Sequence, residues 1–539
     1  MGKLSSAPQK ALFEQTVSVL IAQPLPGPYD YVVPPDCAVQ IGCFVEVPLG
    51  RRTVRGVVWG EGQGDVDPEK LRPLEAVIDC PPLPEPVRRL VDWTAAYTMS
   101  QPGSVLRMAM SVSDALDPPP PQTLFRMGDP LDEGVRLSAA RKRVLSVLED
   151  GRSLTASDLA AEAGCGTGVI KAMAQAGMIQ RFEIPHRPEP APVSIDRGGP
   201  ELTDAQAQAA DQVCQAVGQG AFAPFLLDGV AGSGKTEVYF EAIGAALAAG
   251  KQVLILLPEI ALSSQWLSRF SERFGISPVE WHSAITPARR RKAWRAIIEG
   301  SASLVVGARS ALFLPYIDLG LIIVDEEHEA AFKQEDGVIY NARDMAVVRA
   351  RIEGVPIVLA SATPSLESRV NANNGRYGHL ILPSRVGRAV MPDIDAIDLR
   401  ENPPERQQFL SPPLREGVAT ALERGEQTLL FLNRRGYAPL TLCRACGHRF
   451  ACGACTAWLV EHRLARRLRC HHCGYSVRLP PSCPACGTED SLTACGPGVE
   501  RIAEEVADLF PDAAVELMTS DSVHNPLKAR ALIERITER

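Results

Sequence analysis

The chain has 539 residues, 45% of them hydrophobic and 22% charged, which is ordinary for a globular protein of three or four domains. Its net charge of −8 does not point to nucleic acid as a partner, although a locally basic surface would suffice to bind one. The start of the chain lacks the apolar core of a signal peptide and every apolar run is too short to span a bilayer, so we expect a cytoplasmic protein without a membrane partner.

Short stretches of alternating apolar and polar residues, separated by Pro and Gly, occupy residues 16–112. They include Thr16–Ala22, Cys43–Val47 and Val54–Trp59. Alternation with a period of two is typical of half-buried strands. We therefore expect a small β-rich domain at residues 1–112.

Two proline-rich linkers, Pro118–Pro121 and His186–Pro200, bracket the next segment, since a proline run cannot be helical. Between them the apolar spacing is helical and ends in a candidate strand, Met178–Ile184. Three short helices and a strand predict a winged-helix or helix-turn-helix module at residues 113–200. A plain three-helix spacer is the alternative.

Short β-branched runs alternate with longer helical segments across residues 201–385. Strands separated by helices predict a parallel sheet with helices on both faces. The predicted strands are Phe225–Leu227, Gln252–Leu257, Ser303–Val306, Leu321–Asp325 and Pro356–Ala360.

A second α/β pattern begins within residues 386–441, with a candidate strand at Gln427–Leu432. A Cys-rich segment at residues 442–495 interrupts it. The pattern continues at residues 496–539 with a strand at Ala514–Met518 and a helix at Pro526–Thr537. The expected fold class is therefore multidomain α/β with an insertion in the second lobe.

A phosphate-binding loop of the form G-x-x-x-x-G-K-T follows the strand at Phe225. Its glycines let backbone N–H groups close around phosphate oxygens, and the next helix adds its N-terminal dipole. Lys235 is expected to reach the β- and γ-phosphates of ATP, and Thr236 to ligate Mg²⁺. The predicted nucleotide-binding residues of the loop are Gly229, Gly232, Ser233, Gly234, Lys235 and Thr236.

Carboxylates follow the apolar strand that ends at Asp325. Alone, such a cluster is typical of a helix N-terminus, whose dipole favours negative charge. After a phosphate-binding loop in the same sheet it predicts a magnesium ligand at Asp325 and a residue orienting the attacking water at Glu326. We expect this pair and the loop to lie at neighbouring strand tips, with Lys235, Asp325 and Glu326 as the catalytic residues.

Eight cysteines form four Cys-x-x-Cys pairs, and two thiolates at this spacing can bind one tetrahedral ion. Four pairs predict two structural Cys₄ zinc sites rather than disulfides. Spacing leaves open which pairs share an ion, and His448, His471 or His472 could replace a ligand. The predicted ligands are Cys443, Cys446, Cys452, Cys455, Cys470, Cys473, Cys483 and Cys486.

Further segments, in order along the chain, resemble the motifs of a superfamily-2 helicase with a RecA-like lobe. In this resemblance Gln206 would read adenine, and Ser361–Thr363 would link the nucleotide site to DNA. The other matching segments are Leu202–Gln206, Pro258–Leu262 and Gly307–Phe313.

The four Cys-x-x-Cys pairs follow the segment Phe431–Pro439. With them, the chain resembles more narrowly the primosomal protein N-prime family of bacterial replication-restart helicases. The resemblance implies a monomeric 3′-to-5′ DNA helicase that uses ATP, Mg²⁺ and two Zn²⁺, recognises stalled forks and D-loops, and initiates primosome assembly. Implied partners are forked and single-stranded DNA, primosome and replicative-helicase loading proteins, and single-stranded DNA-binding protein. It also implies nested zinc pairing, with the first and fourth Cys pairs around one ion and the two middle pairs around the other.

The family's N-terminal domain binds the 3′ end of a nascent strand. The matching positions here are Tyr29, Asp30, Gly50 and Arg72. Tyr29 would stack on the terminal base and Asp30 would accept from the 3′-hydroxyl. The alternative is that Tyr29 and Tyr31 only pack a small β-core.

The chain departs from the family in the loop after His328, where Val338 and Ile339 replace a tryptophan and an arginine. Val499 also stands where the family usually has Thr. The retained candidate DNA contacts of the loop are Lys333, Tyr340 and Arg343.

The chain also ends before the family's later motifs, including an arginine worth on the order of 10³–10⁵ in rate. We therefore expect these residues to bind ATP and forked DNA but to hydrolyse ATP poorly. Two alternatives follow: a non-catalytic fork-binding and primosome-assembly platform, or a double-stranded-DNA translocase.

Overall fold

The computed structural model describes residues 15–64, 66–118, 121–128, 137–184, 198–258, 264–387, 392–405, 408–432, 440–443, 445–462, 467–470, 472–489, 491–495, 498–519 and 526–537. The chain forms two compact units, residues 1–390 and 391–539. Within the described ranges, the helices are too short or too polar to cross a membrane. Most of Phe431–Pro439 and Pro258–Leu262, both linkers in part, and His471 lie outside these ranges.

The first unit opens with a six-stranded sheet, as the alternating pattern predicts. Its strands are β1 Thr16–Ile21, β2 Tyr29–Val32, β3 Phe44–Leu49, β4 Arg52–Glu61, β5 Arg72–Pro73 and β6 Ala76–Val77. The spatial order is β5-β2-β1-β4-β3-β6. The three strands that the sequence predicted are all present.

Two helices complete this domain, and the sequence analysis missed both. They are α1 Glu85–Thr98 and α2 Pro102–Ala109. Each carries a proline in its first turn, where the missing N–H costs nothing. That proline, followed by buried Val87, Leu90 and Val91 at helical spacing, was the available signal.

A three-stranded antiparallel sheet and three helices form the next module, around a core of their own. Its elements are β7 Gln122–Met127, α3 Ala139–Leu148, β8 Leu154–Thr155, α4 Ala156–Glu162, α5 Thr167–Gln175 and β9 Ile179–Ile184. The predicted strand at the end of the module is present as β9. The winged-helix assignment stays a prediction.

The rest of the first unit is built on a seven-stranded parallel sheet of order β12-β13-β11-β14-β17-β10-β18. A separate two-stranded ribbon, β15–β16, precedes α10. The elements are α6 Asp204–Gln219, β10 Pro224–Gly229, α7 Lys235–Ala248, β11 Gln252–Leu256, α8 Ser264–Phe274, β12 Val279–Trp281, α9 Pro287–Ile298, β13 Leu304–Gly307, β14 Leu319–Asp325, β15 Lys333–Gln334, β16 Tyr340–Asn341, α10 Ala342–Glu353, β17 Ile357–Ser361, α11 Leu366–Asn373 and β18 Gly378–Leu382.

Helices cover both faces of this sheet, as predicted. Along β14, Ile322 and Val324 belong to one hydrophobic core. Leu321 and Ile323 belong to the core on the opposite face. The five predicted strands are present. The two missed strands, β12 and β18, are the edges of the sheet; β12 has only three residues and β18 has exposed positions, so each gives a weak sequence signal.

The N-terminal domain and the parallel-sheet lobe share one of these cores. Trp294 of α9 packs edge-on against Phe44, with ring centroids 6.0 Å apart. Its Nε1 donates to the carbonyl of Ala109, at the end of α2, over 2.8 Å. Arg295 donates to the carbonyl oxygens of Asp79 and Leu116. These contacts join the two domains through buried side chains.

Among its described residues, the second unit holds small antiparallel sheets and helices, and the predicted parallel sheet of a second lobe is not among them. Its elements are α12 Pro412–Glu423, β19 Leu440–Cys443, β20 Val460–His462, β21 Arg467–Arg469, β22 Ser476–Arg478, β23 Leu492–Cys495, α13 Val499–Leu509 and α14 Pro526–Thr537. The predicted helix at Pro526–Thr537 is confirmed.

The strands predicted at Gln427–Leu432 and Ala514–Met518 are wrong, because neither segment is a strand. Leu429 and Phe431 are 87% and 82% exposed. A strand is stable when its backbone N–H and C=O groups pair with a neighbouring strand, and neither segment belongs to a sheet formed by the described residues.

Candidate active site and zinc centres

The phosphate-binding loop lies at the carboxyl end of β10 and runs into α7, as predicted. Lys235 is the first residue of the helix, and its Nζ donates to the carbonyl of Gly229 over 2.9 Å. This bond bends the lysine back over the loop. The hydroxyl oxygen of Ser233 is buried and has no hydrogen-bond partner among the described residues. An orphaned donor inside a phosphate-binding loop fits a bound phosphate oxygen.

Gly234 shows why the loop requires glycine. Its φ is +76°, in the left-handed region that side chains disfavour. A Cβ on it would lie 2.2 Å from Nε2 of Gln206, so that side chain would have to shift. The loop therefore folds tightly against the Gln206 side chain.

Gln206 is placed by α6, where it completes a capping box with Thr203. Its Oε1 accepts from the backbone N–H of Thr203 at 2.8 Å. Its Nε2 donates to the carbonyl of Ser233 at 2.9 Å. The side chain thus braces the loop, and its predicted contact with adenine stays a prediction.

The candidate magnesium ligands meet through a residue that the sequence analysis missed. The hydroxyl of Tyr239 donates to Oδ2 of Asp325 at 2.9 Å and lies 3.5 Å from Oγ1 of Thr236. Thr236 and Tyr239 share a face of α7 because they are three residues apart. A buried tyrosine one turn after the loop threonine was the only available signal. The Thr236 hydroxyl and the Asp325 carboxylate are oxygen donors of the kind Mg²⁺ prefers.

Burial raises the pKa of Asp325, and the Tyr239 hydrogen bond opposes that shift. Burial also raises the pKa of Tyr239 well above its usual value, with the Asp325 charge adding to the effect. Tyr239 therefore stays a neutral donor. A divalent cation at Asp325 would favour the ionised carboxylate, so the residues present fit the ion.

Glu326 has an unusual backbone for a non-glycine residue, with φ at +50°. Its carboxylate is 43% exposed and lies 3.6 Å from Nδ1 of His328. That same nitrogen lies 2.8 Å from the hydroxyl of Ser361, whose oxygen accepts from the Thr363 N–H at 3.0 Å. His328 thus connects the acid pair to the Ser361–Thr363 segment.

The loop and the acid pair lie at the same edge of the sheet but not on neighbouring strands. Strand β17 lies between β10 and β14, with Ser361 beside Asp228 on one side and Ala360 beside Asp325 on the other. The expectation of adjacent strand tips was wrong, because the intervening strand comes later in the chain. It places Ser361 between the two motifs.

The three candidate DNA contacts after His328 differ in exposure. Lys333 is exposed. Tyr340 is 4% exposed and packs edge-on against Phe313, with ring centroids 5.3 Å apart. Arg343 is 7% exposed, and its guanidinium donates to side chains of the protein. In this conformation Lys333 alone of the three presents its side chain to solvent.

At the N-terminal pocket positions, the structure separates the two tyrosines. Tyr31 is buried, and its hydroxyl donates to the carbonyl of Pro48 at 3.0 Å, while Tyr29 is 39% exposed. Arg72 pairs with Tyr31 across β5 and β2 and is itself exposed. Gly50 occupies the β3–β4 turn with φ at +63°. Tyr31 is therefore a core residue that holds the turn against β2, and Tyr29 and Arg72 remain accessible.

One carboxylate oxygen of Asp30 already accepts a hydrogen bond within the N-terminal domain. Its Oδ2 accepts from the backbone N–H of Gly64 at 3.0 Å. This bond fixes the carboxylate beside Tyr29 and leaves Oδ1 for another donor. The predicted contact with a 3′-hydroxyl stays a prediction.

The eight cysteines gather into two groups of four in the second unit. Within each group the ligand atoms lie within 4.8 Å of one another, and the grouping is the nested one that the family resemblance implies. The sets are Cys443, Cys446, Cys483 and Cys486, and Cys452, Cys455, Cys470 and Cys473.

Sulfur–sulfur distances fit tetrahedral zinc rather than disulfides. Four distances between thiols of different pairs are 3.7, 3.7, 3.4 and 3.5 Å. Four thiolates about 2.3 Å from one Zn²⁺ would be about 3.8 Å apart, whereas a disulfide requires about 2.05 Å. With four thiols in each set, neither site needs a histidine or leaves a position for substrate, so both fit structural zinc.

Three of the four pairs are followed directly by glycine with φ near +75°. The N–H of Gly447, for example, donates to the carbonyl of Cys443 at 2.8 Å, closing a tight turn that aims both thiols inward. Hydrogen bonding with Ser491 lowers the pKa of Cys443 to about 6. Backbone N–H groups lower the pKa of Cys470 to about 6. Desolvation and hydrogen bonds with neighbouring thiols raise the pKa of Cys446 and Cys455 to about 12. A bound cation would favour the thiolate form in each set.

Three protein-family models match the chain. Residues 18–111 match the PriA 3′ DNA-binding domain (3′BD) and residues 203–371 match the DEAD/DEAH box helicase domain. Residues 452–478 match the Cys-rich region (CRR) domain of the PriA DNA helicase.

Similar curated proteins carry the name replication restart protein PriA. That of Haemophilus influenzae is 36% identical over 538 residues, covering 97% of this chain and 72% of the relative. That of Rickettsia felis is 35% identical over 510 residues, covering 94% and 67%. That of Bacillus subtilis is 37% identical over 397 residues, covering 72% and 49%.

Proposed function

This chain belongs to the PriA family of replication restart proteins, which are ATP-dependent DNA helicases, and from that premise we propose that it unwinds DNA in the 3′-to-5′ direction. We propose stalled forks and D-loops as its substrates and the start of primosome assembly as its outcome. The supporting observation is the meeting of the phosphate-binding loop, Asp325 and Ser361 at one edge of the parallel sheet.

The residues at this edge have different roles in ATP hydrolysis. Lys235 and the backbone N–H groups of the loop hold the phosphates. If the Lys235 ammonium group exchanged its bond with the Gly229 carbonyl for one with a phosphate oxygen, the lysine would bind the nucleotide. Thr236 and Asp325 would hold Mg²⁺, which neutralises phosphate charge when bound. Glu326, exposed beside them, accepts a hydrogen bond from the attacking water and orients it.

The N-terminal domain supplies the second proposed activity, recognition of a DNA 3′ end. Tyr29 offers an exposed ring on which a terminal base can stack. The free oxygen of Asp30 accepts from the 3′-hydroxyl, and Arg72 contacts phosphate. The join at Trp294 holds this pocket at a fixed place relative to the ATPase lobe.

Forked and single-stranded DNA are the proposed nucleic-acid partners, with primosome, helicase-loading and single-stranded DNA-binding proteins as protein partners. We propose that the chain acts as a monomer and in the cytoplasm. The zinc sites would then have a structural role, since each set includes a cysteine at the end of a strand, Cys443 in β19 and Cys470 directly after β21, and would tie that strand to the other thiols of the set.

The test of the enzyme is strand displacement from a synthetic fork together with DNA-stimulated ATP hydrolysis. We expect both activities in the parent, at the low rate that the sequence predicts, and neither in Lys235→Ala, with fork affinity kept in both proteins. Hydrolysis without displacement on forks would favour a double-stranded-DNA translocase. Fork binding by a parent that does not turn over ATP would favour the assembly platform.

The test of the 3′-end pocket compares Tyr29→Ala with a fork whose 3′ end is hydroxyl or phosphate. We expect the parent to discriminate between the two ends and Tyr29→Ala to lose about 1–3 kcal/mol of affinity for the hydroxyl end, the range for a base–aromatic stack. Trp93→Ala is the control, an exposed aromatic of the same domain. Equal binding of both ends by the parent would contradict the proposal.

A further inference from the structure

A fully buried carboxylate lies directly beside the catalytic acid pair, and the proposed chemistry leaves it without a role. The residue is Glu327, with 1% of its surface exposed. Its Oε1 accepts from the Ser365 N–H at 2.7 Å. Its Oε2 accepts from the hydroxyls of Ser365 and Ser368 at 3.0 and 2.9 Å, and from Nη1 of Arg343 at 3.3 Å.

These donors come from two segments that are distant in sequence from Glu327. Ser365 is the N-cap residue of α11 and Ser368 lies in its first turn, just after the Ser361–Thr363 segment. Arg343 belongs to the first turn of α10, where the loop after His328 ends. A charge buried this deeply is tolerated only when it is paired and hydrogen-bonded on all sides. Glu327 therefore joins three segments of the ATPase lobe at one point.

The same residue bears on the backbone of Glu326. The left-handed φ of Glu326 is strained for a non-glycine residue and persists only where neighbouring contacts impose it. Asp325 is fixed on one side by Tyr239. On the other side the Glu327 N–H donates to the Ala360 carbonyl at 3.1 Å, and its side chain is held as described. Glu326 is thus stretched between two anchored neighbours.

We propose that Glu327 and Arg343 form a positioning pair for ATP hydrolysis. Glu327 holds Glu326 in the backbone conformation that exposes its carboxylate to the attacking water. Arg343 connects that conformation to the loop of residues 329–341, which carries the exposed Lys333. This inference rests on the proposed function, because it assigns the pair a role in that hydrolysis.

The Arg343 guanidinium also provides a matched control. It reaches Glu367, whose side chain is 71% exposed, at 3.9 Å. Removing the charge of Glu367 takes away a surface partner of the same arginine and leaves the buried pair intact. Exposed pairs of this kind contribute little to stability.

The experiment compares the parent with Glu327→Gln, Arg343→Lys and Glu367→Gln. Equilibrium titration gives the affinity for MgATP, and a single turnover with enzyme in excess gives the hydrolysis rate, with and without fork DNA. We expect Glu327→Gln to bind MgATP like the parent but to hydrolyse it about 100-fold more slowly, the loss typical of a misplaced catalytic group. Arg343→Lys keeps the charge and loses the planar fork of the guanidinium. It should hydrolyse MgATP more slowly with unchanged affinity, and fork DNA should stimulate its hydrolysis less. Glu367→Gln should match the parent.

A structural role alone would lower the MgATP affinity and the hydrolysis rate together. The decisive result is therefore whether the rate falls while the affinity is unchanged. Parent-like hydrolysis in both Glu327→Gln and Arg343→Lys would overturn the inference, as would parallel loss of affinity and rate in both. If Glu327→Gln does not fold, Arg343→Lys decides by the same criterion. A parent that fails to bind or hydrolyse MgATP would instead refute the proposed function.

Discussion

Replacing Trp294 with alanine should destabilise two domains at once. The indole belongs to α9 of the parallel-sheet lobe but is fully buried against Phe44 and Ala109 of the N-terminal domain. The family models treat these as separate domains, at residues 203–371 and 18–111. A side chain shared by two cores couples their unfolding.

The expected loss follows from three contributions. Truncating a buried tryptophan typically costs about 3–5 kcal/mol. That range largely includes the edge-on contact with Phe44, worth about 1 kcal/mol. The carbonyl of Ala109 would lose its donor, which costs about 1–3 kcal/mol more unless water replaces it. We expect a decrease of about 5 kcal/mol in the free energy of unfolding of the joined domains.

Native-state hydrogen exchange measures this free energy at individual amides. In Trp294→Ala, amides of β1 and β4 and amides of β13 and β14 should lose protection by similar amounts. Trp93→Ala, which removes a tryptophan that is 38% exposed, should change protection by about 1 kcal/mol or less. A loss confined to β13 and β14 would refute the coupling, since the N-terminal sheet would then be stable by itself.

Removal of zinc with a chelator should abolish the hydrogen-exchange protection of amides in β19–β23 and leave that of the parallel sheet unchanged, because the cysteine sets lie within the second unit. Cys452→Ser should cause half of this loss of protection, and Cys37→Ser should cause none. Gly234→Ala should lower MgATP affinity, because alanine is strained at a φ of +76° and its Cβ would displace the Gln206 side chain that braces the loop. Gly218→Ala in α6, whose Cβ would meet nothing within 4 Å, should keep affinity and stabilise the helix by up to about 1 kcal/mol. Burial raises the pKa of Cys80 to about 12, so its neutral thiol favours the folded state below pH 9 and this contribution is lost progressively as pH rises toward 12. The free energy of unfolding of Cys80→Ala should therefore fall less steeply over that range, and parallel plots of this free energy against pH for the two proteins would contradict this.

The parts of the site that depend on local sequence could be predicted from it. The phosphate-binding loop needs only its own glycines, a preceding strand and a following helix, and all are present. The Cys-x-x-Cys pairs fixed the metal ligands in the same way. Which pairs share an ion depends on how the chain returns between Cys455 and Cys470, so spacing alone left the grouping open.

The missed features depend on contacts between distant residues. Tyr239 acquires its role only by meeting Asp325, 86 residues later. Glu327 looked like one acid among several until the fold buried it against Arg343. Helices α1 and α2 face a core that belongs partly to the neighbouring lobe, so the strand-like pattern before them dominated the prediction. The segment Gln427–Leu432 has the residues of a strand but is not paired with any strand of the described ranges.

The most direct measurement is equilibrium binding of labelled ATP, with and without Mg²⁺, to the folded and zinc-loaded parent, Lys235→Ala and Asp325→Asn. The parent should bind the nucleotide, Lys235→Ala should lose affinity under both conditions, and Asp325→Asn should lose chiefly the part that depends on Mg²⁺. Failure of the intact parent to take up MgATP, or Mg²⁺ dependence that survives in Asp325→Asn, would contradict the assignment of this sheet edge as the ATP site.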